Sequence, residues 1–125
     1  MNSTSDRDSN SNSNSDEGAI APKDISALNR QAAVCFSEGK FAEAIALCHQ
    51  VIIIKPDCAV AYDILGAALM SQNKAGPAIR SFSQALAINP NSAKILAKLG
   101  DCLVAEGRLD EAITTYQKAL QLNPN

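Results

Sequence analysis

The ten-residue stretch FSQALAINPN, residues 82–91, returns as YQKALQLNPN at residues 116–125, 34 positions later. Other columns of the chain keep the same interval, and their members are Pro56, Pro90 and Pro124; Ala44, Ala78 and Ala112; Cys48, Phe82 and Tyr116; and Leu28, Tyr62 and Leu96. Several independent columns at one period indicate an internal repeat rather than a chance match.

Each unit of 34 residues contains two stretches in which apolar residues follow helical spacing, and a turn separates them. In the third unit, the first stretch extends from Ile95 to Leu103 and Gly107 ends it, and the second extends from Ile113 to Leu122. The pattern predicts six helices in antiparallel pairs, over residues 24–38, 41–54, 58–72, 76–88, 92–106 and 110–122.

Polar residues mark the predicted starts of several helices. Asp24, Asp57 and Asn91 stand at the expected N-caps of the first helices, and Asp110 stands at that of the last second helix. The stretch VIII, residues 51–54, favours a strand by propensity alone. Because the repeat aligns this stretch with the ends of the other second helices, we predict a helix there.

Composition and charge disfavour several classes of protein. The chain has 125 residues, 46% of them hydrophobic, and a net charge of −2. Residues 24–125 contain nine acidic and nine basic side chains, whereas a nucleic-acid-binding protein usually has a basic surface. No apolar run approaches the ~18 residues of a membrane span, and residues 1–18 lack the apolar core of a secretory signal. We therefore expect no nucleic-acid or membrane partner and a cytoplasmic location.

The four cysteines do not form a recognisable metal site. No C-x-x-C pair occurs, and His49 is the only histidine, so we expect neither a metal nor a cofactor. Cys58 and Cys102 are predicted to be the more exposed thiols. Cys35 and Cys48 fall among apolar residues and are predicted to be small buried side chains, although a disulfide between these two remains open.

The chain divides into a polar tail and a repeat domain. Residues 1–22 are rich in alternating Ser and Asn, which cannot form a packed core, and we predict that they are disordered. A role for this tail as a phosphorylated or partner-binding arm remains open. Residues 23–125 form the predicted repeat domain, with units at residues 25–58, 59–92 and 93–125.

These columns resemble the tetratricopeptide repeat, whose pattern is W-x₂-L-G-x₂-Y, then A-x₃-F, then Pro. The second unit matches it with Tyr62, Leu65, Gly66, Leu69, Ala78, Phe82 and Pro90, and the third matches it with Leu96, Leu99, Gly100, Leu103, Ala112, Tyr116 and Pro124. The first unit departs from it at Gln31 and Cys48. The resemblance implies an all-α solenoid of three helix-turn-helix repeats, wound as a right-handed superhelix.

The resemblance also implies a concave groove, lined by the first helix of each repeat, that holds a peptide or a helix of a partner protein. Carried onto this sequence, the candidate groove residues are Asn29, Ala33, Phe36, Asp63, Ala67, Met70, Lys94, Lys98 and Asp101. Phe36 and Met70 are large apolar residues in one column outside the core pattern, which favours a binding groove over simple solvated helix faces.

One group within the family clamps a chaperone's C-terminal carboxylate with lysines and asparagines. In this chain the corresponding columns hold Asn29, Ala33, Ile64, Lys94 and Lys98. Only the two lysines fit the clamp, and isoleucine cannot replace a hydrogen-bonding amide. The clamp is therefore disfavoured.

No Ser–His–Asp or Cys–His arrangement and no glycine-rich phosphate loop is recognisable. We therefore predict a non-catalytic interaction module; the alternative is the substrate-recruiting N-terminal region of a larger enzyme, such as a glycosyltransferase. Tyr116, Ala119, Leu120 and Leu122 are about as apolar as their counterparts one repeat earlier. We expect that further repeats or another domain follow Asn125, or that the isolated chain self-associates through its last helix.

Overall fold

The computed structural model describes residues 24–124, which form six α-helices and contain no β-strand. The helices are α1 Ile25–Ser37, α2 Phe41–Ile54, α3 Ala59–Ser71, α4 Ala75–Ile88, α5 Ala93–Ala105 and α6 Leu109–Leu122. Every predicted boundary lies within one residue of the observed one, and the predicted all-α fold is confirmed. Residues 51–54 end α2, as the repeat predicts. The predicted tail, residues 1–22, lies outside the described residues.

The turn within each helical pair contains one residue in the left-handed region of backbone conformation. These residues are Gly39, Asn73 and Gly107, with φ angles of 78°, 63° and 79°. The next backbone N–H donates to a carbonyl five residues earlier, as in the 2.9 Å bond from Lys74 N to Leu69 O. Glycine and asparagine adopt this conformation at low cost. The turn chemistry therefore fixes where each first helix stops.

Prolines fix the turns between pairs. Lys55, Asn89 and Asn123 each precede a proline, and their φ angles are −137°, −131° and −147°. The proline ring clashes with a helical conformation of the residue before it. Each second helix therefore ends at a defined point, and the next pair begins in register with the last.

Only one of the four predicted N-caps is correct. Asp24 accepts a hydrogen bond at 3.1 Å from the backbone N–H three residues later. At α5, Ser92 takes this role instead of Asn91, one residue later than predicted, with a bond of 3.2 Å. Asp57 lies before the cap of α3 and pairs with a neighbouring lysine. Asp110 lies within the first turn of α6, where it offsets the helix dipole.

Two glycines allow the helices of the second and third pairs to approach closely. A Cβ atom at Gly66 would lie 2.8 Å from the ring of Phe82, and one at Gly100 would lie 2.6 Å from the ring of Tyr116. These distances are shorter than any real van der Waals contact. The rings therefore occupy the space that a side chain would need, as the repeat pattern predicts.

In the first helical pair, two different residues stand where α1 and α2 cross. Ala32 stands in the glycine column and Cys48 in the aromatic column, and both are fully buried beside Leu65. The extra methyl group of alanine is accommodated because cysteine is much smaller than phenylalanine. Gln31, which stands in a core column of the pattern, is exposed instead.

The prediction for the exposure of Cys58 and Cys102 is wrong, because both thiols are buried. Cys102 packs in the core between α4 and α5, and Cys58 lies in the core between the first pair and α3. The neighbouring repeat covers both positions, which one repeat alone does not reveal. Cys48 is buried as predicted and Cys35 is half-buried, and all four thiols are free.

Candidate functional site

The first helices converge and the second helices diverge. Helix α1 contacts α3 and α3 contacts α5, whereas among the described residues α2 does not contact α4 and α4 does not contact α6. A stack of pairs curves towards the row of helices that lie closer together. The concave side is therefore lined by α1, α3 and α5, which carry all nine predicted groove residues.

The three candidates on α1 lie at one end of this concave side. Asn29 is half-buried; its Nδ2 lies 3.5 Å from Cys58 Sγ, and its Oδ1 is buried without a hydrogen-bond partner. Ala33 is exposed. Phe36 is half-buried, with its ring centroid 5.6 Å from that of Phe41. These residues do not line the central depression described next.

The central depression of the groove has a volume of about 230 Å³. It lies between α3 and α5, and its lining residues are Ala67, Met70, Phe82, Lys98 and Asp101. Four of these five are predicted groove residues. The floor is apolar, and the rim carries one ammonium and one carboxylate. A depression of this form accepts one apolar side chain and offers hydrogen bonds at its edge.

Asp63 joins this site through an ion pair. Lys98 Nζ lies 2.8 Å from Asp63 Oδ1, and both side chains are partly buried. The pair links α3 to α5 across adjacent repeats. Because the lysine already has a carboxylate partner, its charge is largely neutralised before any ligand binds.

Asp101 is held by the second helix of its own pair. The hydroxyl of Tyr116 donates a hydrogen bond to Asp101 Oδ1, and this bond raises the pKa of Tyr116 to about 12. The ring of the same tyrosine lies against Gly100. The carboxylate is therefore fixed at the rim of the depression by a residue outside the groove.

Lys94 does not join the central depression. It is exposed and lines a separate depression of about 470 Å³ at the α5–α6 end of the stack, together with Ala93, Ala97, Tyr116, Ala119, Leu120 and Asn123. The two lysines of the disfavoured clamp therefore open onto different depressions.

The sequence prediction missed two residues that shape the groove. Phe82 belongs to the core columns, yet its ring forms part of the floor of the depression, and Tyr116 positions Asp101. The signal was present in the pattern, because an aromatic residue opposite a glycine reaches into the crossing of its helical pair. Val60 on α3 and Val104 on α5 are exposed apolar residues at the groove columns.

Within residues 24–124, no group of three or more His, Cys, Asp or Glu side chains could hold a metal ion. The six helices of this part of the chain include none that could span a lipid bilayer.

A model of the tetratricopeptide repeat matches residues 69–125, from the end of α3 to the end of the chain. Over these residues the chain is similar to the tetratricopeptide repeat family. No curated protein sequence matches it.

Solved tetratricopeptide repeat (TPR) structures share its fold. A crystal structure of MamA aligns with a TM-score of 0.79 at 27% identity, over 82% of this chain and 60% of that chain. The first TPR domain of the human RPAP3 protein aligns with a TM-score of 0.79 at 26% identity, over 84% and 83% of the two chains. The first TPR of Spaghetti (RPAP3), bound to the HSP90 peptide SRMEEVD, aligns with a TM-score of 0.80 at 24% identity, over 85% and 84%. This chain therefore spans 60% of the length of the MamA chain.

Proposed function

We propose that this chain is a non-catalytic interaction module that holds a peptide or a short helix of a partner protein in its concave groove. The observation that carries the proposal is the depression of about 230 Å³ at the centre of the groove, with its apolar floor and charged rim. Buried, unpaired thiols suit a reducing compartment, and we place this function in the cytoplasm.

The partner segment supplies an apolar anchor rather than a terminal carboxylate. Met70, which is half-buried above the buried ring of Phe82, offers an apolar surface to such an anchor, and a flexible methionine adapts to several side-chain shapes. Lys98 is paired with Asp63, so a ligand carboxylate would have to displace an existing ion pair.

The test uses a peptide selected from a displayed peptide library on the unaltered chain. Replacement of Phe36 and Met70 by alanine together should weaken binding of this peptide by about tenfold or more, because buried apolar anchors dominate such interfaces. Lys94→Ala with Lys98→Ala should mainly change the salt dependence of binding. Ile53→Ala is the matched control, since Ile53 is 80% exposed and lies on α2, outside the groove. Equal binding by all of these variants would show that the groove is not the site.

A second experiment tests the chemistry of the anchor. The unaltered chain should bind the acidic peptide SRMEEVD weakly, because Asp63 occupies the ammonium group of Lys98. Asp63→Ala removes that competing carboxylate and should strengthen the binding several-fold at low salt, with the gain lost as salt screens the charge. Tight binding of this peptide by the unaltered chain would contradict the apolar anchor while leaving the groove itself as the site.

A further inference from the structure

One face of α6 carries a stripe of exposed apolar residues. Leu109, Ile113, Tyr116 and Leu120 follow the spacing i, i+4, i+7, i+11, which places them along one side of a helix. Leu109 and Leu120 are 57% exposed, Ile113 is 54% exposed, and Tyr116 is half-buried. This stripe lies at the end of the stack, beside the depression of about 470 Å³, and it is distinct from the groove.

The same stripe is covered in both earlier pairs. In α4 it comprises Ile79, Phe82 and Leu86, which pack against Ile95 and Cys102 of α5. In α2 the corresponding residues pack against α3. No helix among residues 24–124 covers the stripe on α6. The junction between α4 and α5 therefore shows what kind of helix face fits it.

Helix α1 carries a face of this kind, and nothing in the described part of the chain covers it. The positions of Ile95 and Cys102 are held on α1 by Ala27 and Val34, 68 residues earlier in the repeat. Val34 is 54% exposed. On α3 the same positions hold Ala61 and Ala68, which are buried against the first pair. Small residues at these two positions are thus sufficient to form a junction between repeats, and Ala27 and Val34 on α1 are of similar size.

The charges of the two faces are also complementary. At the internal junction, Lys98 of α5 pairs with Asp63 of α3 and lines one depression together with Ala67. In the repeat, Arg30 of α1 corresponds to Lys98 of α5, and Asp101 of α5 corresponds to Ala67 of α3. An α1 helix stacked on the last pair would therefore place Arg30 and Asp101, which have opposite charges, in the same depression.

We infer that the α6 stripe docks the α1 face of a second copy of this chain, so that copies stack head to tail with the geometry of the internal junctions. The interface joins two different faces of the same molecule, and each added copy presents a new α6 stripe. Such an interface is open-ended and produces a series of oligomers rather than a closed dimer.

Sedimentation equilibrium of the full chain tests this inference. The weight-average mass should exceed the monomer mass of 13.2 kDa and rise with concentration. Val34→Glu blocks the α1 face and Leu120→Glu blocks the α6 stripe, and each variant alone should remain a monomer. An equimolar mixture of the two should form a dimer of twice the monomer mass and nothing larger, because each variant keeps the face that the other lacks. Ile53→Glu is the control. Ile53 is exposed on α2 and belongs to neither of the two faces, so this variant should assemble like the unaltered chain.

Charge exchange tests the register of the same interface. Arg30→Asp and Asp101→Arg should each raise the dissociation constant by about tenfold or more, because each places like charges together, and the double variant should restore assembly. Circular dichroism confirms that each variant is folded. A strict monomer at every concentration, continued assembly of Leu120→Glu, or a failure of the mixed variants to pair would each overturn the inference.

Discussion

At Gly100 the missing side chain allows the Tyr116 ring to lie against the backbone of α5. A Cβ atom would be 2.6 Å from that ring. We expect Gly100→Leu to lower the free energy of unfolding by about 1–3 kcal/mol, since overpacking forces the ring or the helix to move. Urea unfolding measures the change. Ala105→Leu, at an exposed position of the same helix, should remain within about 0.5 kcal/mol, and equal stability of the two variants would contradict the close crossing.

The buried thiols make the stability of the fold depend on pH. Burial raises the pKa of Cys48 from 9.0 to about 12 and that of Cys102 to about 11. In the unfolded chain both thiols lose their protons near pH 9, before the folded chain does. Their contribution to stability is therefore complete below pH 9 and declines as the pH rises towards 11.

Urea unfolding at a series of pH values, with a reductant present, measures this decline. The variant with Cys48→Ala and Cys102→Ala should start less stable but lose less stability between pH 9 and 11. Ile53→Ala, at an exposed position, should lose as much as the unaltered chain. Parallel pH profiles for all three proteins would contradict the burial of these thiols.

At the scale of the helix, the crossing of α1 and α2 depends on a matched pair of sizes. Cys48→Phe alone should destabilise the chain by about 1–3 kcal/mol, because the ring would meet the methyl group of Ala32. Adding Ala32→Gly recreates the pairing found between Gly66 and Phe82 and should restore much of the loss. A double-mutant cycle by urea unfolding measures the coupling, and additive losses would contradict the size exchange.

Helix bounds were predictable from the sequence, because local features set them. Gly39, Asn73 and Gly107 adopt left-handed conformations at the first turns, and prolines follow the second helices. The N-caps were less predictable, since Asn91 and Ser92 are adjacent and both can act as caps. Only the backbone geometry selects Ser92.

Contacts between repeats were the part that sequence could not supply. The nine groove positions follow from the family frame, but the bond between Asp63 and Lys98 depends on how far one repeat is rotated against the next. The same rotation buries Cys58 and Cys102. Such contacts join residues on different units, and no periodicity within one unit encodes them.

In the whole molecule, each helix contacts only its near neighbours along the stack. Stability in such a fold is close to a sum over repeats and their junctions. Within residues 24–124 of one copy, the outer helices α1 and α6 have neighbours on one side only. In the monomeric variant Leu120→Glu we therefore expect their amides to exchange with solvent fastest and those of α3 and α4 slowest. Hydrogen exchange followed by mass spectrometry measures the order, and uniform protection of all six helices would contradict it.

The first pair crosses at Ala32 and Cys48, and the second pair crosses at Gly66 and Phe82. This difference in side-chain size also affects which helices pair while the chain folds. Three similar helical pairs offer many wrong partners, because a first helix could pair with the second helix of another unit. If α1 paired with α4, the methyl group of Ala32 would meet the ring of Phe82; if α3 paired with α2, Gly66 and Cys48 would leave a void. Both mispairings are penalised, one by a clash and the other by a cavity. The departure of the first unit from the repeat pattern thus disfavours an exchange of helices between the first two pairs.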